Sequence, residues 1–214
     1  MSKLSKLSKF KQNFTMLQYN YPVLSFNNSL NKPKQTPFDA KGSLDSEPTK
    51  KLIKMLQAAY CDEWVAAYQY SIENDYLNKL NYSGVISDKV YRNISEELIV
   101  HASEEFNHAK LIVPELIRLG SEPIYQMDML QLTANKPLII PEKDTANVLI
   151  QAIDSEENAI KTYTTIIDLV KDTNLCSKKF QDTLQFILDQ EYEHRSDLDK
   201  LLKDFKDQET KGNK

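Results

Sequence analysis

The chain has 214 residues, formal net charge −4 and a composition of 41% hydrophobic and 27% charged residues. Four glycines and eight prolines are too few for a loop-rich β protein, and no apolar run approaches the ~20 residues that span a bilayer. The first residues lack the apolar core of a secretory signal, and two cysteines, Cys61 and Cys176, are too few for a disulfide framework, so packed thiols are expected, with a redox role near a metal as the alternative.

Residues 1–45 carry no sustained helical period and are expected to form an extension outside the core, mobile in part. Their charge is one-sided. The first 38 residues hold six lysines (Lys3, Lys6, Lys9, Lys11, Lys32, Lys34) and no acid, so the rest of the chain carries −10. A basic tail on an acidic body suits contact with nucleic-acid phosphates, an address read by an organelle, or simple solvation. The block 46–208 is expected to be the folded domain, with 209–214 a polar tail.

Ser46, with Pro48 just inside, starts the first predicted helix, about 47–80. Its inward stripe runs Leu52, Met55, Leu56, Ala59, Tyr60, Glu63, Ala67, Tyr70, Leu77. The break at Asn81-Tyr82-Ser83-Gly84 leads to a second helix, about 87–119, striped by Val90, Ile94, Leu98, His101, Glu105, His108, Ile112 and Leu116. Pro114 should kink it, and Gly120 with Pro123 should end it. Residues 121–143 show no period and are long enough to cross the length of a bundle. Asp144 caps a third helix, about 145–171, with Ala152, Glu156, Ile160, Tyr163 and Ile167 inward. The fourth, about 177–206, carries Phe180, Leu184, Ile187, Glu191, His194, Leu198 and Leu201. Four long helices with two short links and one long crossover between the second and third have the connectivity of ferritin-like bundles, so an all-α four-helix bundle is expected.

Each inward stripe is interrupted by charge, at Glu63, at Glu105 with His108, at Glu156, and at Glu191 with His194. Residues three apart share a helix face, so each Glu-x-x-His aims a carboxylate and an imidazole at one place. Carboxylates inside a bundle are costly unless paired or metal-bound. Six such groups at one level are the ligands expected of a dinuclear centre, and imidazole with carboxylate suits two iron ions, with manganese as the alternative. Tyr70 and Tyr163 follow Glu63 and Glu156 by seven residues each, so both halves read Glu, Tyr, Glu-x-x-His. The tyrosines are candidates to hold ligand carboxylates, and His101, one turn before Glu105, to be an outer contact or line a metal path beside Glu97. Glu157 is the rival of Glu156 but lies one position off the stripe.

Over about 47–206 the chain resembles the ferritin-like superfamily, nearest to bacterioferritins and Dps-like ferritins. The likeness rests on Glu63-Trp-Val-Ala-Ala-Tyr-Gln-Tyr70, on His101-Ala-Ser-Glu-Glu105-Phe-Asn-His108 running to Leu119-Gly-Ser-Glu-Pro123, on Glu156-Glu-Asn-Ala-Ile160 and on Glu191-Tyr-Glu-His194. The resemblance implies that Glu63, Glu105, His108, Glu156, Glu191 and His194 hold two irons, with Glu105 and Glu191 as bridges. It also implies a ferroxidase that oxidises Fe(II) with O2 or H2O2, for iron storage, detoxification and protection from oxidative stress, within a cytoplasmic homo-oligomer. Three departures shape the expectation. Phe106 stands where bacterioferritin has its haem-ligating methionine, so no haem is expected. All six ligands lie on one chain, unlike the Dps site shared between subunits. No paired Cys-x-x-Cys motifs supply a rubrerythrin module. The alternatives are a manganese catalase or di-metal oxygenase on the same site, and a DNA-binding protective protein acting through the lysine tail.

Overall fold

The computed structural model describes residues 45–142 and 144–212, and the N-terminal extension falls outside them apart from its last residue. Five helices, and no strand, occur among the described residues: α1 (Glu47–Tyr82), α2 (Asp88–Arg118), α3 (Met127–Thr133), α4 (Thr145–Thr173) and α5 (Lys178–Gly212). Four are the long helices anticipated by the apolar periods. None is long and apolar enough to cross a membrane.

The helix ends follow from local chemistry. Ser46 accepts the Thr49 N–H at 3.3 Å with Pro48 in the first turn, Ser87 accepts that of Val90 at 3.3 Å, and Asp144 accepts that of Asn147 at 2.9 Å. Helix α4 ends at Asn174 in the left-handed region (φ 53°), a conformation asparagine tolerates better than most residues. Gly120, at φ 76°, stops α2, which runs on through Pro114 to Arg118. Helix α5 continues past the predicted residue 206 to Gly212, with Phe205 the last residue of its buried stripe.

Helix α1 packs chiefly against α2, and α4 against α5, with α1·α4 and α2·α5 contacts closing the bundle. The apolar interior comes in two blocks. One gathers Leu52, Leu56, Ile112, Leu116, Ile166, Val170, Leu184 and Ile187; the other gathers Leu77, Ile94, Leu98, Leu149, Ala152, Leu198 and Phe205. On every long helix the residues between the two blocks are the charged ones. Cys61 and Cys176 lie in the first block, and burial, reinforced by neighbouring Asp62, pushes the Cys61 thiol up to about 12. Both are packed thiols, as expected of buried cysteine.

The crossover shows no apolar period in the sequence, yet α3 forms within it and lays Leu130 into the first apolar block. One apolar anchor in a seven-residue helix leaves too short a period to read from sequence. The rest of the crossover is strapped to α1. Asp62 accepts from Asn135 N–H (2.6 Å), the Asn135 side-chain amide (2.5 Å) and Lys136 N–H (3.4 Å). Two turns on, Gln69 grips the Ile139 backbone from both sides, donating to its carbonyl and accepting its N–H at 2.8 Å each. Gln69→Leu leaves both Ile139 groups unpaired. Amide exchange at 134–140 should then accelerate at least tenfold while exchange in α1 and α5 stays slow. Unchanged exchange at Ile139 would show that the strap is held elsewhere.

Candidate metal centre

Between the two apolar blocks the four long helices bring together Glu63 (α1), Glu105 and His108 (α2), Glu156 (α4), and Glu191 and His194 (α5). All are 3% exposed or less. They form two overlapping groups able to hold metal ions: Glu63, Glu105, His108 and Glu191, and Glu105, Glu156, Glu191 and His194, with ligand atoms within 4.8 Å of one another in each. Glu105 and Glu191 belong to both. Oxygen Oε2 of Glu105 lies 2.9 Å from His108 Nδ1 and Oε1 lies 3.1 Å from His194 Nδ1. Glu191 repeats the arrangement, with Oε1 2.9 Å from His108 Nδ1 and Oε2 3.9 Å from His194 Nδ1. The terminal carboxylates sit one on each side, Glu63 at 3.4 Å from His108 Nδ1 and Glu156 at 3.7 Å from His194 Nδ1.

The outer edges of both imidazoles are fixed. His108 Nε2 donates to Gln190 Oε1 at 3.1 Å, and His194 Nε2 donates to Glu104 Oε2 at 2.9 Å. Gln190 in turn donates to Glu104 at 3.3 Å, so the two histidines are joined behind the site. With hydrogen on Nε2, each neutral ring turns its Nδ1 lone pair onto the inner carboxylates. Lone pair against anion is repulsive unless a proton or a cation lies between. Among the described residues, both Glu191 oxygens and Glu156 Oε2 have no hydrogen-bond partner, although Glu191 Oε1 lies 2.9 Å from His108 Nδ1. Buried oxygens without donors, facing imidazole nitrogens, fit a pair of divalent cations.

Tyr70 of α1 donates its hydroxyl to Glu156 of α4, and Tyr163 of α4 donates to Glu63 of α1. Each half of the sequence repeat therefore orients the terminal carboxylate of the other. His101 stacks on His194 with centroids 4.2 Å apart, meets Tyr70 edge-on at 5.4 Å, and groups with Glu97 and Asp197 rather than with the six. Glu157 lies outside the site, half exposed and paired with Arg195 at 3.2 Å. Phe106 is partly exposed and packs edge-on against Trp64 at 4.6 Å.

The sequence reading missed Glu104 and Gln190. A signal existed, because each immediately precedes a Glu-x-x-His glutamate and reaches the histidine of the opposite helix. One position off the stripe, they read as surface residues. It also missed Glu73, which is fully buried and whose carboxyl is pushed up to about 8 by burial, against the Gln69 hydrogen bond and with the nearby Glu156 charge adding to it.

Protons balance the charges of the metal-free site. Burial and then the Glu105 charge raise Glu63 to about 8; burial and then the charges of Glu105 and Glu63 raise Glu191 well above its usual range. Burial alone would lower both imidazoles, but Glu191 beside His108 and Glu105 beside His194 hold them well above the usual value. Burial likewise works against Glu105, yet the two imidazoles keep its pKa well below the carboxylate range.

The ferritin-like domain profile matches residues 53–207, and the chain belongs to the ferritin-like domain family. No curated protein matches significantly. Among solved structures, the chain is similar to the bacterioferritin-related protein of Bacteroides fragilis, a dodecameric thioferritin, with 29% identity, 76% of this chain and 90% of that one covered, and a TM-score of 0.64. Dps from Thermosynechococcus elongatus shares the fold at 13% identity, covering 72% and 92%, with a TM-score of 0.61. A ferritin-like diiron-carboxylate protein from Bacillus anthracis shares it at 22% identity, covering 73% and 99%, with a TM-score of 0.58.

Groups with raised folded pKa values bind more protons folded than unfolded, so their contribution to stability declines as pH rises. For Glu63 the window runs from 4.5 to about 8, and the imidazoles act in the same direction above 6.5. Glu105, with its lowered value, contributes the opposite slope only below 4.5. The melting temperature of chelator-treated protein should therefore fall between pH 5 and 8, and added Mn(II) should remove most of that fall. A flat metal-free profile would refute this charge balance. Glu104→Ala, which frees the outer edge of His194, should weaken metal affinity roughly 10–100-fold, read by competition with a chelating dye.

Proposed function

We propose that the protein is a ferroxidase in which Glu63, Glu105, His108, Glu156, Glu191 and His194 bind two Fe(II) ions as substrate, with Glu105 and Glu191 bridging them. The observation that carries this reading is the pair of overlapping four-residue groups that share those two glutamates, each facing a different histidine with each of its oxygens. Two divalent cations supply positive charge where, without metal, the raised pKa values of His108, His194, Glu63 and Glu191 favour bound protons. Two Fe(II) ions give up two electrons. With two protons these reduce one O2 to H2O2, or one H2O2 to two waters. The paired site delivers both electrons at one place.

The chain's own groups have distinct parts in this. Tyr70 and Tyr163 fix the terminal carboxylates by donating to one oxygen of each, leaving the other for metal. Gln190 and Glu104 hold both imidazoles in the Nδ1-ligating orientation. The apolar blocks exclude water above and below. A cavity of about 50 Å³ under the crossover reaches Glu63, Glu105, Glu156 and Glu191 and gives substrate and oxidant a way in. Assembly into a cytoplasmic homo-oligomer that stores oxidised iron belongs to the same proposal. It is supported by the dodecameric Bacteroides fragilis relative and by the exposed apolar side chains of Tyr125, Met127, Leu132 and Ile140 on and near the crossover. DNA binding or organelle addressing by the lysines of residues 1–44 falls outside the described residues.

Fe(II) added without oxygen and then exposed to oxidant should give a fast rise in near-ultraviolet absorbance that saturates at two irons per chain. Glu63→Ala and Glu156→Ala should each abolish the fast phase, a loss of at least 100-fold in rate. A wild-type fast phase that is absent, or that saturates below two, overturns the reading. If the purified protein instead holds manganese and releases O2 from H2O2, the same site is that of a manganese catalase.

A further inference from the structure

The cavity beneath the crossover holds one acidic group that the six-residue site leaves unused. Glu73 of α1 is fully buried, 0% exposed, ten residues beyond Glu63 and three beyond Tyr70. One carboxylate oxygen, Oε1, accepts from the Gln69 amide at 3.0 Å. The other, Oε2, has no hydrogen-bond partner. The crossed Tyr70–Glu156 and Tyr163–Glu63 bonds fix the antiparallel register of α1 and α4, and that register sets Glu73 level with the turn of α4 that carries Gln151. The side-chain oxygen of Gln151 is buried and also without a partner, as is Oε2 of Glu156. All three residues line the same cavity of about 50 Å³, large enough for an ion with a water or two. Lys136, which also lines the cavity, donates to the Asp154 carbonyl at 2.6 Å.

Three residues that line one small cavity each carry a buried oxygen with no donor among the described residues, an arrangement that a proton or a cation can complete. Every one is a carboxylate or amide oxygen, the donor type preferred by hard divalent cations, and there is no imidazole or thiolate to select a softer metal. We infer that Glu73 and Gln151 form a third divalent-cation site, flanking Glu156 under the crossover strap, from which a metal ion can pass to the paired site. The inference rests on the di-metal reading only in sharing the Glu156 carboxylate.

The test is anaerobic titration with Mn(II), following the free ion by electron paramagnetic resonance, on full-length wild type and Glu73→Gln. The substitution keeps shape and removes charge, and helical circular dichroism checks that both chains are folded. Wild type is expected to bind one more Mn(II) per chain than Glu73→Gln, three against two. Equal stoichiometry in the two chains overturns the third site. The number retained by Glu73→Gln tests the paired site separately: two supports it, and fewer counts against the di-metal reading alone. Gln151→Met, at a half-buried position, should weaken the extra equivalent at least tenfold and leave the others unchanged. Should Glu73→Gln not fold, an unchanged affinity in Gln151→Met overturns the inference instead.

Discussion

Everything else in this bundle is arranged around one electrostatic constraint: four carboxylates and two imidazoles are buried at one level between two apolar blocks. Taking one ion out of water costs several kcal/mol even after relaxation, against a total folding stability of about 5–15 kcal/mol. Four uncompensated carboxylates are therefore impossible, and positive charge has to be present in every state of the folded chain. Protons provide it in the metal-free protein, on two imidazoles and on Glu63 and Glu191. Two divalent cations provide the same four charges and also satisfy the oxygens that protons leave without partners. Metal affinity and proton affinity are thus one property of the site, expressed against different competitors.

The repeat in the chain supplies the symmetry this requires. Each half contributes a lone glutamate, a tyrosine seven residues on, and a Glu-x-x-His preceded by a polar residue. Their partners are exchanged between halves: Tyr70 serves Glu156, Tyr163 serves Glu63, Glu104 serves His194, and Gln190 serves His108. No half can hold its own ligands in place, so the site exists only when both helix pairs have docked. Departures from symmetry are informative for the same reason. Glu73 lies three residues past Tyr70 on α1, whereas the matching position on α4, three past Tyr163, is the buried apolar Ile166. The α1 flank that carries Glu73 is the one roofed by the crossover.

Among the described residues the crossover is the least regular long segment, and it lines the cavity that reaches the buried carboxylates. Asp62 and Gln69, two turns apart on α1, hold it over the cavity through backbone groups of Asn135, Lys136 and Ile139. These contacts engage main-chain atoms, so side-chain identity in 135–139 gives little warning of them. Leu130 anchors the short α3 in the first apolar block, Ile124 and Ala134 pack against the same block, and Tyr125, Met127, Leu132 and Ile140 are exposed.

The four long helices, the caps Ser46 and Asp144, the all-α class and the six converging side chains were legible in the residue pattern. Apolar periods of three to four residues, and charges interrupting those periods, are local facts that survive in a one-dimensional string. Glu156 was separated from Glu157 by helical phase alone. Tertiary structure decided what depends on relations between helices. The crossed tyrosine bonds, the roles of Glu104 and Gln190, the two oxygens of each shared glutamate and the buried Glu73 all require knowing which helix faces which, and in what register. Glu104 and Gln190 lie off the inward stripe of their own helices, and a neighbouring helix brings them into the site. Glu73 looks like any solvated glutamate until the strap closes over it. Sequence periodicity reports the face a residue occupies; only packing reports what that face meets.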